Sequence, residues 1–154
     1  MLSTMNLSQV ARSGALLAIN LQFLMVWGFS GIGKLNHVVP AWFGDKFGKT
    51  FLASFPGLPA TFWLLTATEM LGFLLAVGAL IRGEFLRLRP ASCLLLLLTW
   101  SLFTFLMLAF GLWLTGDFNG TFQQFVYFSL TLVALQYAGK PMGAMQEGNH
   151  THPR

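Results

Sequence analysis

Two oppositely charged residues, Lys34 and Glu69, stand where the chain is otherwise almost entirely apolar. Lys34 closes the apolar run WGFSGIGKLNH, and Glu69 lies near the middle of a second run, LLTATEMLGFLLA. A charge inside a membrane-spanning helix costs roughly 2.5 to 3.5 kcal/mol, so each charge needs a reason. The two residues predict a contact that serves either as a fold-fixing ion pair or as a site that binds a ligand or handles protons.

The residues around this pair fall on common helix faces. Asn20 and Trp27 precede Lys34 at seven-residue intervals, which places the three on one face of a first helix. Thr66 shares a face with Glu69, and small residues follow on that face of the second helix. Small residues allow two helices to approach closely, so this face is expected to point into a helical bundle.

Two further helices contribute polar stripes. Gln124, Tyr127 and Thr131 share one face, and Ser101 and Thr104 lie three residues apart. Such groups often only hold a bundle together through interhelical hydrogen bonds. Turned inward together, they would instead form a pocket for a lipophilic ligand with carbonyl or hydroxyl ends, and a quinone is such a molecule.

The composition explains why these polar residues stand out. Apolar residues make up 55% of the 154 residues and charged residues 9%, against about 25% charged in soluble domains. A chain of this size cannot bury that much apolar surface in its own core, so lipid must act as solvent. The net charge of +4 has no basic cluster with interleaved aromatics, which argues against nucleic acid as a partner.

Four apolar segments are long enough to cross a bilayer as helices. Short connections make consecutive helices antiparallel neighbours, so we expect an all-α, four-transmembrane-helix antiparallel bundle. It forms one domain over residues 1–140, followed by a polar tail, 141–154. The predicted spans are 14–33, 60–81, 91–114 and 121–138.

Basic residues predict the orientation of this bundle. With the N-terminus inside, six Lys and Arg residues lie on the inner side and three on the outer side. The positive-inside rule therefore places both termini in the cytoplasm.

The first loop carries an amphipathic pattern over residues 40–55, in which a phenylalanine recurs every fourth residue. This pattern predicts one interfacial helix with its charges on another face. The helix could serve as a membrane anchor or as a lid over a pocket between the spans. The phenylalanines are Phe43, Phe47, Phe51 and Phe55, and the charges are Asp45, Lys46 and Lys49.

Several kinds of site have no signature in the sequence. No histidine falls within a predicted span, so paired axial ligands for haem are absent. There is no flavin- or nucleotide-binding glycine fingerprint, and one cysteine, Cys93, allows no disulfide relay. His150 and His152 belong to the polar tail, which we interpret as solvated and not as a metal site. Catalysis would therefore need a bound cofactor or a partner subunit.

Three short motifs occur in order along the chain: SGIGKL at 30–35, TEMLGFLLAVGALIR at 68–82 and FNG at 118–120. In order and spacing they resemble motifs of the DoxX/DoxD-like family of small four-helix membrane proteins, over most of residues 13–140. The resemblance implies that Lys34 and Glu69 match that family's membrane-boundary lysine and second-helix glutamate. Gln124, in TFQQF, stands where the family often has a glutamate, which puts a two-acid proton relay in doubt.

The resemblance implies a function linked to quinones, because some family members resemble subunits of thiosulfate:quinone oxidoreductases. In that case Lys34 would donate a hydrogen bond to a quinone carbonyl and Glu69 would handle the proton. We expect an integral protein of a bacterial cytoplasmic membrane, with partner membrane or peripheral subunits.

Two other functions stay open. One is a non-catalytic accessory or assembly subunit of a larger membrane complex, with Trp100, Phe103 and Phe110 as candidate contacts. The other is a small permease or ion pathway, which one buried acid and no internal repeat support least.

Overall fold

Helices dominate the structure, a computed structural model that describes residues 7–35, 38–86 and 91–140. The prediction of an all-α protein is confirmed. The tail 141–154, His37, Arg87 and Arg89 lie outside the described residues. The helices are α1 (Leu7–Leu35), α2 (Ala41–Phe47), α3 (Leu58–Arg82), α4 (Ser92–Leu114) and α5 (Phe118–Gly139), with a 3₁₀ helix at Phe51–Ala53 between α2 and α3.

Three of these helices, α1, α3 and α4, are long and apolar enough to cross a membrane. They have 29, 25 and 23 residues, whereas about 20 residues suffice to span the hydrocarbon core. A lipid bilayer is therefore the environment that these helices fit. The fourth long helix, α5, has 22 residues and a more polar composition than α4.

Consecutive long helices pack against each other, α1 on α3, α3 on α4 and α4 on α5. The first and last helices, α1 and α5, do not pack closely against each other, and a gap lined by both helices lies between them. At one end of this gap the Arg12 guanidinium of α1 donates a hydrogen bond to the carbonyl of Lys140, directly after α5. The core cluster comprises Leu16, Phe23, Trp27, Ala76, Ala79, Leu94, Leu97, Leu98, Phe105 and Ala138.

The connection between α3 and α4 holds a second buried carboxylate that sequence reasoning missed. Gly83 ends α3 in the left-handed conformation, with φ of 63°, which glycine adopts without steric cost. The Glu84 carboxylate then accepts hydrogen bonds from the backbone N–H groups of Cys93 (2.9 Å) and Leu94 (2.8 Å). These N–H groups have no partner within the first turn of α4, so Glu84 caps that helix.

The prediction of one continuous helix over 40–55 is wrong. Helix α2 ends at Phe47, and the Thr50 hydroxyl donates to the Phe47 carbonyl (2.7 Å) as the chain turns before the 3₁₀ helix. Gly48 and Thr50 are poor helix formers, which explains the break. The four phenylalanines therefore do not share one face of a helix. Phe43 is 1% exposed, whereas Phe55 is 75% exposed.

Candidate functional site

Lys34 and Glu69 are in direct contact, as predicted. The Lys34 ammonium lies 2.6 Å from both carboxylate oxygens of Glu69. The Glu69 side chain is 2% exposed and the Lys34 side chain 18% exposed. The lysine stem therefore bends from the last turn of α1 into the bundle, where it compensates a buried charge on α3.

The hydrogen bonds of Lys34 determine what this pair can offer a ligand. A lysine ammonium has three N–H donors. Two of them bond to Glu69, and the third bonds to the Ser30 hydroxyl oxygen at 3.0 Å. While these bonds are formed, Lys34 has no free donor for a quinone carbonyl, in contrast to the role that we expected for it. The Glu69 carboxylate can still accept further hydrogen bonds.

A cavity of about 690 Å³ opens between α1 and α5; we call it the lateral cavity. Its walls are mostly apolar and aromatic, and Ser30, Glu69 and Gln124 contribute polar groups. A pocket of this size and character suits a lipophilic molecule with a polar end. The lateral cavity is lined by Ala18, Ile19, Gln22, Phe23, Val26, Trp27, Ser30, Glu69, Phe105, Leu108, Gln124, Tyr127, Leu130, Thr131 and Ala134.

A second cavity of about 450 Å³ lies beneath α2 and the 3₁₀ helix; we call it the loop cavity. It shares Ser30, Glu69, Leu108 and Gln124 with the lateral cavity. Residues of α2 and the 3₁₀ helix line this cavity, so the first loop lies over it. Other lining residues are Lys34, Trp42, Phe43, Lys46, Phe47, Leu52, Pro56, Thr61, Leu64, Leu65, Met107, Phe110, Gly111 and Leu112.

Trp27 forms part of the wall of the lateral cavity and is tightly held. Its indole N–H donates to the Ser101 hydroxyl at 2.9 Å, and its ring lies 5.1 Å from that of Phe105. Against its other side lies Gly72, where a Cβ atom would be only 2.8 Å from the indole Cδ1. The small residue on α3 thus lets the indole pack directly on the helix backbone.

Two of the predicted ligand-binding residues, Asn20 and Thr66, are buried but line neither cavity. The Asn20 amide donates to the Ala76 carbonyl of α3 at 3.2 Å, and the Thr66 hydroxyl donates to the Phe62 carbonyl of its own helix at 2.9 Å. Both side chains therefore donate hydrogen bonds to the protein's own backbone and not into a cavity. Asn20 links α1 to α3.

Gln124 and Tyr127, also predicted to bind ligand, do line the lateral cavity. Gln124 lines the loop cavity as well. Its side-chain oxygen is buried and accepts no hydrogen bond from any described residue. A buried polar atom without a partner costs free energy, so a ligand that donates a hydrogen bond there would be favoured.

A second ion pair, between Lys46 of α2 and Asp117, escaped sequence reasoning. The Lys46 ammonium lies 3.0 Å from Asp117 Oδ2, and Asp117 Oδ1 accepts the Gly120 N–H at 2.9 Å. The Gly120 N–H and then the Lys46 ammonium lower the pKa of the Asp117 carboxyl below its ordinary value. Aspartate is a preferred residue at a helix N-cap, so its place just before the last apolar segment is a signal that could have identified Asp117.

Within residues 7–35, 38–86 and 91–140, no group of three His, Cys, Asp or Glu side chains is arranged to hold a metal ion. The polar residues that line both cavities are Ser30, Glu69 and Gln124.

No family model, no curated protein and no solved structure matches the chain. The resemblance to the DoxX/DoxD-like family, carried by three short motifs, is therefore a hypothesis that these comparisons neither support nor refute.

Proposed function

We propose that this chain binds a lipophilic, oxygen-bearing ring compound of the quinone class in the lateral cavity, as a DoxX-like subunit of a quinone-linked redox system. The observation that carries the proposal is the polar end of that cavity. The buried carboxylate of Glu69 and the amide oxygen of Gln124, which accepts no hydrogen bond from the described residues, lie with Ser30 at one end of a mostly apolar space.

The shape of the cavity supports a ligand that is taken from lipid. The lateral cavity lies in the gap between α1 and α5, so a molecule dissolved in the bilayer could enter sideways. Aromatic rings of Trp27, Phe105 and Tyr127 form part of the wall. Flat apolar walls with a few polar groups suit a ring that carries oxygen substituents and a hydrocarbon tail.

The proposal includes α5 as a fourth membrane span. Its 22 residues extend about 33 Å at the rise of an α-helix, against about 30 Å of hydrocarbon core, and it packs along α4. Arg12, Arg82 and Lys140 then lie at one end of the bundle, and Lys34 and Lys46 at the other. We place the first end, and with it both termini, on the cytoplasmic side of a bacterial membrane.

The alternative proposal is a non-catalytic accessory or assembly subunit. Of the aromatic residues considered for a partner contact, Phe103 and Phe110 are exposed. Trp100 instead donates its indole N–H to the Thr68 carbonyl of α3 at 2.9 Å, so it serves this chain's own packing. An exposed aromatic face suits lipid as well as a partner, whereas a cavity with a polar end specifically favours a ligand.

The test is whether a quinone-class molecule co-purifies with the protein. The protein is extracted in a mild detergent, and bound lipophiles are identified by mass spectrometry. Ala134→Phe would fill the lateral cavity, while Val133→Phe, at an exposed neighbouring position, is the control. We expect wild type and the control to retain a quinone or its hydroquinone, and Ala134→Phe to retain several-fold less. Neither form above the level in empty micelles, or equal amounts in all three proteins, would contradict the proposal.

A further inference from the structure

The two cavities meet at a small polar junction, formed by the three polar residues that line both of them. These are Ser30, Glu69 and Gln124. A ligand head group that reaches this end of the lateral cavity meets the junction. Its hydrogen-bonding capacity therefore determines which head group the site prefers.

The junction contains two groups whose oxygens can each accept a hydrogen bond from a ligand. All three donors of Lys34 are used by Glu69 and Ser30. A carboxylate has about four lone-pair sites, and the bonds from Lys34 take one on each Glu69 oxygen. The Gln124 side-chain oxygen accepts no hydrogen bond from the described residues. Two groups, Glu69 and Gln124, can therefore each accept a hydrogen bond from a ligand.

A carbonyl head group cannot use these acceptors, because it has no hydrogen to donate. A hydroxyl can donate to Glu69 or Gln124 and can also accept from the Ser30 hydroxyl. A bound carbonyl or ether would also cover the acceptors and keep water from them, which costs binding free energy.

We infer that the site recognises the hydroxyl-bearing, reduced form of its ligand, a hydroquinone or related phenol, in preference to a quinone or an ether of the same shape. This inference rests on the proposed function and adds the chemistry of the head group. It also gives Gln124 a role in ligand binding, since its amide oxygen is a neutral hydrogen-bond acceptor beside the charged Glu69.

The experiment compares three probes that share one six-membered ring and one decyl tail and differ in their two oxygen substituents. They are a decyl-substituted hydroquinone, its dimethyl ether and the corresponding quinone. Dissociation constants are measured by anaerobic isothermal titration calorimetry in matched detergent micelles. We expect the hydroquinone to bind about tenfold or more tighter than the other two, the gain typical of a hydrogen bond to a charged group.

Two variants then assign the preference to the junction. Gln124→Leu keeps the size of the side chain but removes the acceptor, and we expect it to reduce the preference for hydroquinone severalfold. Gln123→Leu, at the exposed neighbouring position, should leave the preference unchanged. Binding of the dimethyl ether reports whether each variant still folds around its cavity. If a variant does not fold, the comparison of probes on wild type alone decides.

The outcomes distinguish the preference for a hydroquinone from the binding of a lipophile itself. Equal binding of all three probes, or tighter binding of the quinone, would overturn the inference and leave lipophile binding intact. No binding of any probe would overturn the proposed function and the inference with it. A preference that survives unchanged in Gln124→Leu would remove Gln124 from the explanation.

Discussion

Each of the two lysines that line the loop cavity pairs with a carboxylate, and the two pairs differ chiefly in burial. Lys34 and Glu69 are 18% and 2% exposed with a contact of 2.6 Å, whereas Lys46 and Asp117 are 35% and 38% exposed with a contact of 3.0 Å. Removing one partner of a buried pair leaves an uncompensated buried charge, which is strongly destabilising. Exposed pairs contribute little to the free energy of unfolding. We call the buried pair Lys34–Glu69 the inner pair and the more exposed pair Lys46–Asp117 the outer pair. The inner pair is therefore expected to determine whether the bundle folds, and the outer pair only to position the loop.

The largest effect is expected from Lys34→Met, which leaves the buried Glu69 carboxylate without its cation. We expect a loss of about 3 kcal/mol in the free energy of unfolding, measured by denaturant titration in mixed micelles. The double variant Lys34→Met/Glu69→Leu should regain part of that loss, because an apolar pair needs no compensation. A double variant as unstable as the sum of its single variants would show that the pair is not the cause.

A smaller loss is expected from Gly72→Ala, which tests how tightly the wall beside the inner pair is packed. The added Cβ would lie 2.8 Å from the Trp27 ring, and overpacking of this kind typically costs about 1 to 3 kcal/mol. Gly78→Ala is the matched control, since its nearest neighbour is the Cys93 sulfur at 3.8 Å. In thermal unfolding in detergent, Gly72→Ala should have a lower midpoint temperature than Gly78→Ala. Equal midpoints would show that Trp27 can shift to make room for the added methyl group.

Lys46→Met should change global stability much less than Lys34→Met, because water and the Gly120 N–H still solvate Asp117. Its expected effect is local, namely a looser contact between α2 and the start of α5. Hydrogen exchange of the α2 amides, compared between wild type, Lys46→Met and an exposed control, Lys49→Met, measures it. Equal exchange in all three proteins would show that the outer pair does not hold the loop.

The smallest effect concerns pH. Because the pKa of Asp117 is lower in the folded protein, its ionised form stabilises the fold above the ordinary carboxyl pKa. That contribution disappears as the pH falls through the lowered value. We expect Asp117→Asn to flatten this part of the pH profile of the unfolding midpoint while leaving the rest unchanged. A profile identical to wild type would contradict a role for the ionised carboxylate.

The sequence was sufficient to predict the inner pair, and the reason is physical. A lone charge in an apolar span is so costly that its partner must be near, and Lys34 was the only candidate at that depth. The seven-residue spacing of Asn20, Trp27 and Lys34 predicted the inward face correctly, since Asn20 and Trp27 are both buried. The long helices also follow from the apolar segments, although α1 begins seven residues earlier than the predicted start at 14.

The outer pair and the loop could not be predicted in the same way. Lys46 and Asp117 are 71 residues apart, and water satisfies both charges, so no local cost demands that they meet. The break after Phe47 depends on a balance between helix propensity and the packing of Phe43 against Phe62. The saturation of the Lys34 donors depends on three simultaneous distances, which spacing along the chain does not determine.

The gap between α1 and α5 has a consequence for how strongly a ligand must bind. A molecule that reaches the lateral cavity from the bilayer is already concentrated by its partition into lipid. Its tail leaves hydrocarbon for a cavity that is also apolar, so the transfer contributes little free energy. Occupancy would then follow the composition of the membrane, and discrimination between ligands would depend on the few polar atoms at the junction of the two cavities.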